Sequence, residues 1–137
     1  MSRLPTKDDI SVFGSLDEGA AVSHFLGLDI AAATVLLIKN PSYYFEDMMW
    51  MGPKAFSYYC KSGIQCLQTG LKQGDDEALF PFIAAVEFQV DHYHDAIRST
   101  FDGIRECLIS IDPKILDLEV GPTRVPNLLR KMGFTPN

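Results

Sequence analysis

The run Tyr43-Tyr44-Phe45-Glu46-Asp47-Met48-Met49-Trp50-Met51-Gly52-Pro53-Lys54-Ala55-Phe56-Ser57-Tyr58-Tyr59 decides how this chain folds. It holds the one Trp, three of the five Met and four of the five Tyr among 137 residues. Gly52-Pro53 punctuates it. Pro in the first position of a helix gives up an amide that has no partner there, so the run predicts a helix opening at Pro53. From that point Phe56, Tyr59, Cys60, Gly63, Ile64, Leu67 and Leu71 recur at three and four residues as one apolar stripe. Lys54, Ser57, Lys61, Gln65, Gln68 and Lys72 lie opposite. Gly63 and Gly70 fall on the apolar side, each costing roughly 1 kcal/mol of helix propensity relative to Ala. A helix packed very close, from the same chain or from another subunit, accounts for them; simple helix weakness is the plainer account. At the upstream end, Tyr43-Tyr44-Phe45 reads as extended chain or a short turn.

Upstream of the run, a helix is predicted over 30–39, capped by Asp29 and ended by Asn40-Pro41, because Pro disfavours helical geometry in the residue before it. It is apolar almost all round, which predicts central burial. Ser15-Leu16-Asp17-Glu18 is a capping-box pattern. It predicts a helix to about Phe25 or Leu26, with Gly27 as the left-handed stop. Residues 1–14 lack a period and read as an irregular lead-in.

Downstream, Gln73-Gly74-Asp75-Asp76 is a turn, and Pro81 is expected to delay the next helix until about Phe82. From there Phe82, Ile83, Val86, Val90, Tyr93, Ile97, Phe101, Ile104 and Leu108 keep helical spacing. The unbroken period favours one long helix; the cluster Asp91-His92-Tyr93-His94-Asp95 favours a break. Asp112-Pro113 caps a short helical turn through Leu118, and Pro126 opens a last short helix over 127–132, inside a loop-rich segment 112–137. No stretch alternates as a strand does. The expected fold is all-α: a single domain over 1–137, a bundle of about five helices with irregular ends.

The block Trp50-Met51-Gly52-Pro53-Lys54-Ala55-Phe56-Ser57-Tyr58-Tyr59 resembles a set of small bacterial helical proteins of unknown function. These carry W-M-x-P-x-A-F-x-Y-Y between a helix and a leucine-rich helix. The resemblance covers residues 25–110, including the region of Glu87-Phe88. It implies a bacterial origin and a domain of unknown function, and it transfers no catalytic residue.

Composition sets outer bounds. Hydrophobic residues make up 47% and charged residues 22%, as in a packed globular domain that needs no staple. The net charge is −6. Nucleic-acid binding draws its affinity from cations on phosphates, and the densest basic spot, Arg124 to Lys131, holds three; nucleic acid is not an expected partner. Three Cys without a close pair, and no signal peptide, point to a reducing cytoplasm. No apolar run approaches the roughly 18 residues of a membrane span.

One constellation invites chemistry. On a continuous helix Glu87, Asp91, His94 and Arg98 share a face, where carboxylates and an imidazole can bind a divalent metal or act as acid and base. The same residues also make an ordinary salt-bridged surface, and they match no recognised ligand motif. His24, near the end of the first helix, suits a bond to terminal carbonyls. Cys60, Cys66 and Cys107 read as small core residues. No glycine-rich loop or nucleotide signature appears, so no cofactor is expected.

The aromatic run itself divides. Trp50 and Phe56 read as a core plug, with Met filling irregular space. Tyr43, Tyr44, Glu46, Asp47 and Tyr58 are left as a candidate interaction surface, since aromatic side chains are favoured at hot spots. The functional expectation is a small acidic protein-interaction module of a regulatory or immunity type, without catalysis. The alternatives are a metal-dependent or acid-base enzyme on Glu87, Asp91 and His94, or a small-ligand domain with a pocket beneath Trp50. A homo-oligomer stays open.

Overall fold

Short polar caps and first-turn prolines set most helix boundaries in this chain. The computed structural model describes residues 3–135. Its helices are α1 (Lys7–Ile10), α2 (Leu16–Phe25), α3 (Ile30–Lys39), α4 (Pro41–Trp50), α5 (Pro53–Lys72), α6 (Leu79–Tyr93), α7 (Phe101–Ile109), α8 (Pro113–Val120) and α9 (Arg124–Lys131). A 3-10 turn at Arg98–Thr100 leads into α7. No strand occurs among the described residues, so the class is all-α, while nine helices among them replace the expected five. The first two residues of the predicted lead-in and the last two of the chain lie outside the described residues.

The additional helices have identifiable causes. Thr6 and Asp9 form a capping box that starts α1 inside the segment read as irregular. Asn40 ends α3 and also caps α4, its side chain accepting from the Tyr43 amide at 3.3 Å. Pro41 then takes the first position of α4. Tyr43, Tyr44 and Phe45 are therefore helical and not extended: the Pro that stops one helix opens the next. Pro81 and Pro126 lie within the first turns of α6 and α9, so both helices begin before their Pro. First-turn amides have no intrahelical acceptor, and Pro loses nothing there. The stretch 91–95 breaks the long period, since α6 stops at Tyr93.

Other boundaries follow the sequence closely. The Ser15–Glu18 capping box starts α2, and Asp29 caps α3 by accepting from the Ala32 amide at 2.8 Å. Gly27 sits at φ +86, the left-handed conformation that ends α2.

The 43–59 run is the corner between α4 and α5, and these two helices form the centre. α5 packs on α1, α3, α4, α6 and α7, and α4 packs on α2, α3 and α6. Phe45, Met48, Phe56, Tyr59, Leu67 and Phe82 are buried between them. Buried polar groups lock the corner. Tyr59 Oη lies 2.9 Å from both the Phe25 and Leu28 carbonyls, and burial pushes its phenol up to about 12. Gln89, wholly buried on α6, donates to the carbonyls of Met48, Met49 and Met51 and so satisfies the end of α4.

Three packing expectations need correction. Gly63 does meet a close neighbour, and it belongs to the same chain: a Cβ there would lie 3.1 Å from the Phe45 ring and 3.4 Å from the Phe82 ring. Gly70, by contrast, faces the carbonyl of Asp75 in the following turn, not a helix. α3 is apolar all round yet packs on one side, leaving Val35 and Ile38 exposed. Trp50 is only half-buried, its ring 4.8 Å from that of Phe88, so Phe56 alone acts as the buried plug. No single helix among the described residues is long and apolar enough to cross a membrane.

Candidate functional site

Glu87 and Asp91 stand one turn apart on α6, and His94 lies just beyond its end. Their partners come from the C-terminal helix. Arg124 grips both oxygens of Glu87 through Nε and Nη2 at 2.6–3.1 Å, and Lys131 Nζ reaches Asp91 at 3.1 Å. His94 Nε2 lies 2.9 Å from the Lys131 carbonyl, and its Nδ1 lies 3.0 Å from Asp95. The His94 hydrogen bond, then Arg98, holds the Asp95 carboxyl below its ordinary range. This constellation clamps α9 onto α6. Among the described residues no group of three or more His, Cys, Asp or Glu is placed to hold a metal ion.

The interaction candidates separate onto different faces. Tyr43 and Tyr44 pack edge-on with their centroids 4.9 Å apart, and both rings lie against His24 of α2. Asp47 is buried beneath them and pairs with His24 Nδ1 at 2.7 Å. Burial raises the Asp47 carboxyl above its ordinary value, with the His24 hydrogen bond acting against it. Asp47 is thus part of the α2–α4 seam and not an exposed contact, whereas Tyr43 and Glu46 remain exposed. His24 bonds a carboxylate on another helix where sequence pointed to terminal carbonyls. Neither partner of this pair is near the other in sequence, so spacing gave no signal.

Tyr58 lies apart from that cluster, half-buried on α5 with its ring centroid 5.0 Å from that of Tyr59. Beside Trp50 runs a shallow groove of about 360 Å³, lined by Phe45, Met49, Trp50, Phe80 and Pro81. The three Cys are buried; burial pushes the Cys60 thiol up to about 12 and those of Cys66 and Cys107 up to about 11. Thiols so raised supply almost no thiolate at neutral pH.

The feature that sequence reading missed is the turn before α2. Glu18 is 4% exposed, and its carboxylate does more than close the capping box. Oε2 accepts from the Ser15 amide at 3.0 Å, while Oε1 accepts from the amides of Val12 at 2.7 Å and Phe13 at 2.9 Å. Burial alone would raise this carboxyl; the three amide donors and the Ser15 contact outweigh it and hold it below the ordinary range. The turn is therefore fixed from within, yet it displays Phe13 at 77% and Leu16 at 94% exposure. The two positions that form a hydrophobic staple around such a cap are here Gly14 and Gly19, so no side chain folds back over the turn. The Ser-x-x-Glu pattern was readable; the reach of Oε1 into the preceding residues was not.

Comparison of the chain with family models, with curated proteins and with solved structures finds no match to any of them.

Proposed function

We propose that the chain is a protein-interaction module that presents the turn at 12–16 to a protein partner, in a regulatory or immunity-type role. One observation carries this reading: two large apolar side chains, Phe13 and Leu16, are held out in solvent by a turn that a buried carboxylate has already ordered. A pre-ordered anchor loses little conformational entropy on docking, which is what gives rigid apolar residues their weight at interfaces. The net charge of −6, with Asp8 and Asp17 exposed nearby in sequence, suits an apolar pocket rimmed by basic residues. Tyr43, half-exposed on its supporting ring cluster, offers a second, lesser contact.

The test is affinity capture from the cells that make the protein, comparing wild type with Phe13→Ser/Leu16→Ser. The reading expects a discrete partner protein recovered by the wild type and lost in the double variant, with both proteins folded alike by circular dichroism. An identical set of captured proteins from the two baits would end it.

A further inference from the structure

A further groove lies apart from both the turn at 12–16 and the cleft beside Trp50. It encloses about 710 Å³ between α5, the N-terminal segment and the start of α7. In a chain of net charge −6 its charged lining is inverted: Arg3, Lys54 and Lys61 against the single carboxylate of Asp9. Lys54, Tyr58 and Lys61 follow at four and three residues, so one face of α5 carries a cation, an aromatic ring and a second cation along the groove. Lys54 Nζ stands 4.0 Å from Asp9, a loose contact, and Lys61 makes no ion pair among the described residues. Ser99 and Thr100 line the facing wall, the Thr100 hydroxyl donating to the Ile97 carbonyl at 2.7 Å.

One further detail marks the groove as space kept open. Gly103 lines it from within α7, where Gly costs roughly 1 kcal/mol against Ala. No packing demands that Gly: a Cβ would meet only Ile64 Cδ1, at an ordinary 3.7 Å. Gly63 and Gly52, by contrast, are filled around by their neighbours, and Gly103 is not.

We propose that this groove binds a small organic phosphate bearing a flat aromatic part, of roughly mononucleotide size. The flat part lies on Tyr58 and the phosphate beyond it against Lys61, while Lys54 and Arg3 add positive potential from the other end of the groove, beside Asp9. Clustered cations select a dianion, the ring and the apolar stems of Leu4 and Ile64 select an aromatic body, and 710 Å³ is more than inorganic phosphate needs. The proposal is independent of the partner-docking turn.

Isotope-edited NMR titration of the whole chain with phenyl phosphate, adenosine monophosphate, adenosine and inorganic phosphate tests it. The expected result is saturable shifts for the amides of Lys54, Tyr58, Lys61 and Gly103 with the two organic phosphates. Binding should weaken by roughly tenfold in Lys61→Gln, the scale of one charge-assisted contact. Gly103→Leu should abolish binding, and Gly103→Ala, which the site accommodates, should melt no lower than wild type and serve as the folding control. Adenosine binding as tightly as its monophosphate would overturn the proposal, as would inorganic phosphate matching phenyl phosphate. Shifts scattered over the surface and unchanged in Lys61→Gln, or no saturable shift with any probe, would overturn it equally.

Discussion

Glu18 and Asp47 are both nearly buried carboxylates, 4% and 6% exposed, and both tie a helix to what lies next to it. Their surroundings pull in opposite directions. Glu18 accepts three backbone amides and is held below its ordinary value despite burial. Asp47 has one partner, His24, and burial leaves it above its ordinary value. What decides between them is the number of donors aimed at the oxygens, since desolvation is the largest influence on each. Glu18 therefore acts as a fixed anion that orders a turn, and Asp47 as half of a two-group seam that depends on its partner.

The largest expected break in this comparison is Glu18→Ala. It strands three amides at once and should lower unfolding free energy by about 2–3 kcal/mol, the scale for removing a charged acceptor from buried donors. Urea denaturation gives the size, and faster amide exchange at Val12, Phe13 and Ser15 gives the place. His24→Ala should cost less, about 1–2 kcal/mol, because only one bond is lost and His24 is partly exposed. Much of that loss should return in His24→Ala/Asp47→Asn, which removes the stranded charge; a double-variant stability no better than the single would contradict the seam.

Acid titration of stability sharpens the contrast. Glu18 has a lowered value in the folded chain, so its contribution is present above the ordinary 4.5 and is lost as pH falls through the folded value. Asp47 has a raised value, so its contribution is present below the ordinary 3.8 and is lost as pH rises through the folded value. Each group can tilt stability by at most about 1.4 kcal/mol per pH unit. Glu18→Gln should flatten the loss on the acid side, and Asp47→Asn should remove the opposing loss above 3.8. Parallel curves for the two variants would show that the carboxylates do not differ as described. The smallest stability effect belongs to Phe13→Ser and Leu16→Ser, within about 0.5 kcal/mol of wild type, as for exposed positions. Their effect should fall on partner capture instead.

The same contrast separates what was legible in the sequence. The capping box at Ser15 and Glu18, the Pro53 start, the α5 stripe and the Gly27 stop are local patterns, and the structure keeps them. Pro53 and Pro113 open helices as the sequence predicts, whereas the helices at Pro41, Pro81 and Pro126 begin earlier than expected or were not expected, because the residue that bars a helix interior is harmless throughout the first turn. The face of Glu87, Asp91 and His94 was visible as a row of charges, but its partners Arg124 and Lys131 lie about forty positions on. His24 and Asp47 are likewise joined only by the packing of α2 on α4. Hydrophobicity also misled where a helix packs on one side, as the exposure of Val35 and Ile38 on α3 makes plain. The W-M-x-P-x-A-F-x-Y-Y block is structurally the corner between α4 and α5, which explains its dense apolar content without assigning it a chemical role.

The most direct test of the displayed turn is site-specific photo-crosslinking in the producing cell, with a photoreactive phenylalanine at position 13 and, for comparison, at position 118. Leu118 is 85% exposed on α8, equally available to chance encounters but held by no buried anion. The account predicts a discrete protein adduct from position 13, reduced when Glu18→Ala frees the turn, and none of that mass from position 118. Equal adducts from both positions, or an adduct at 13 that Glu18→Ala leaves undiminished, would contradict it.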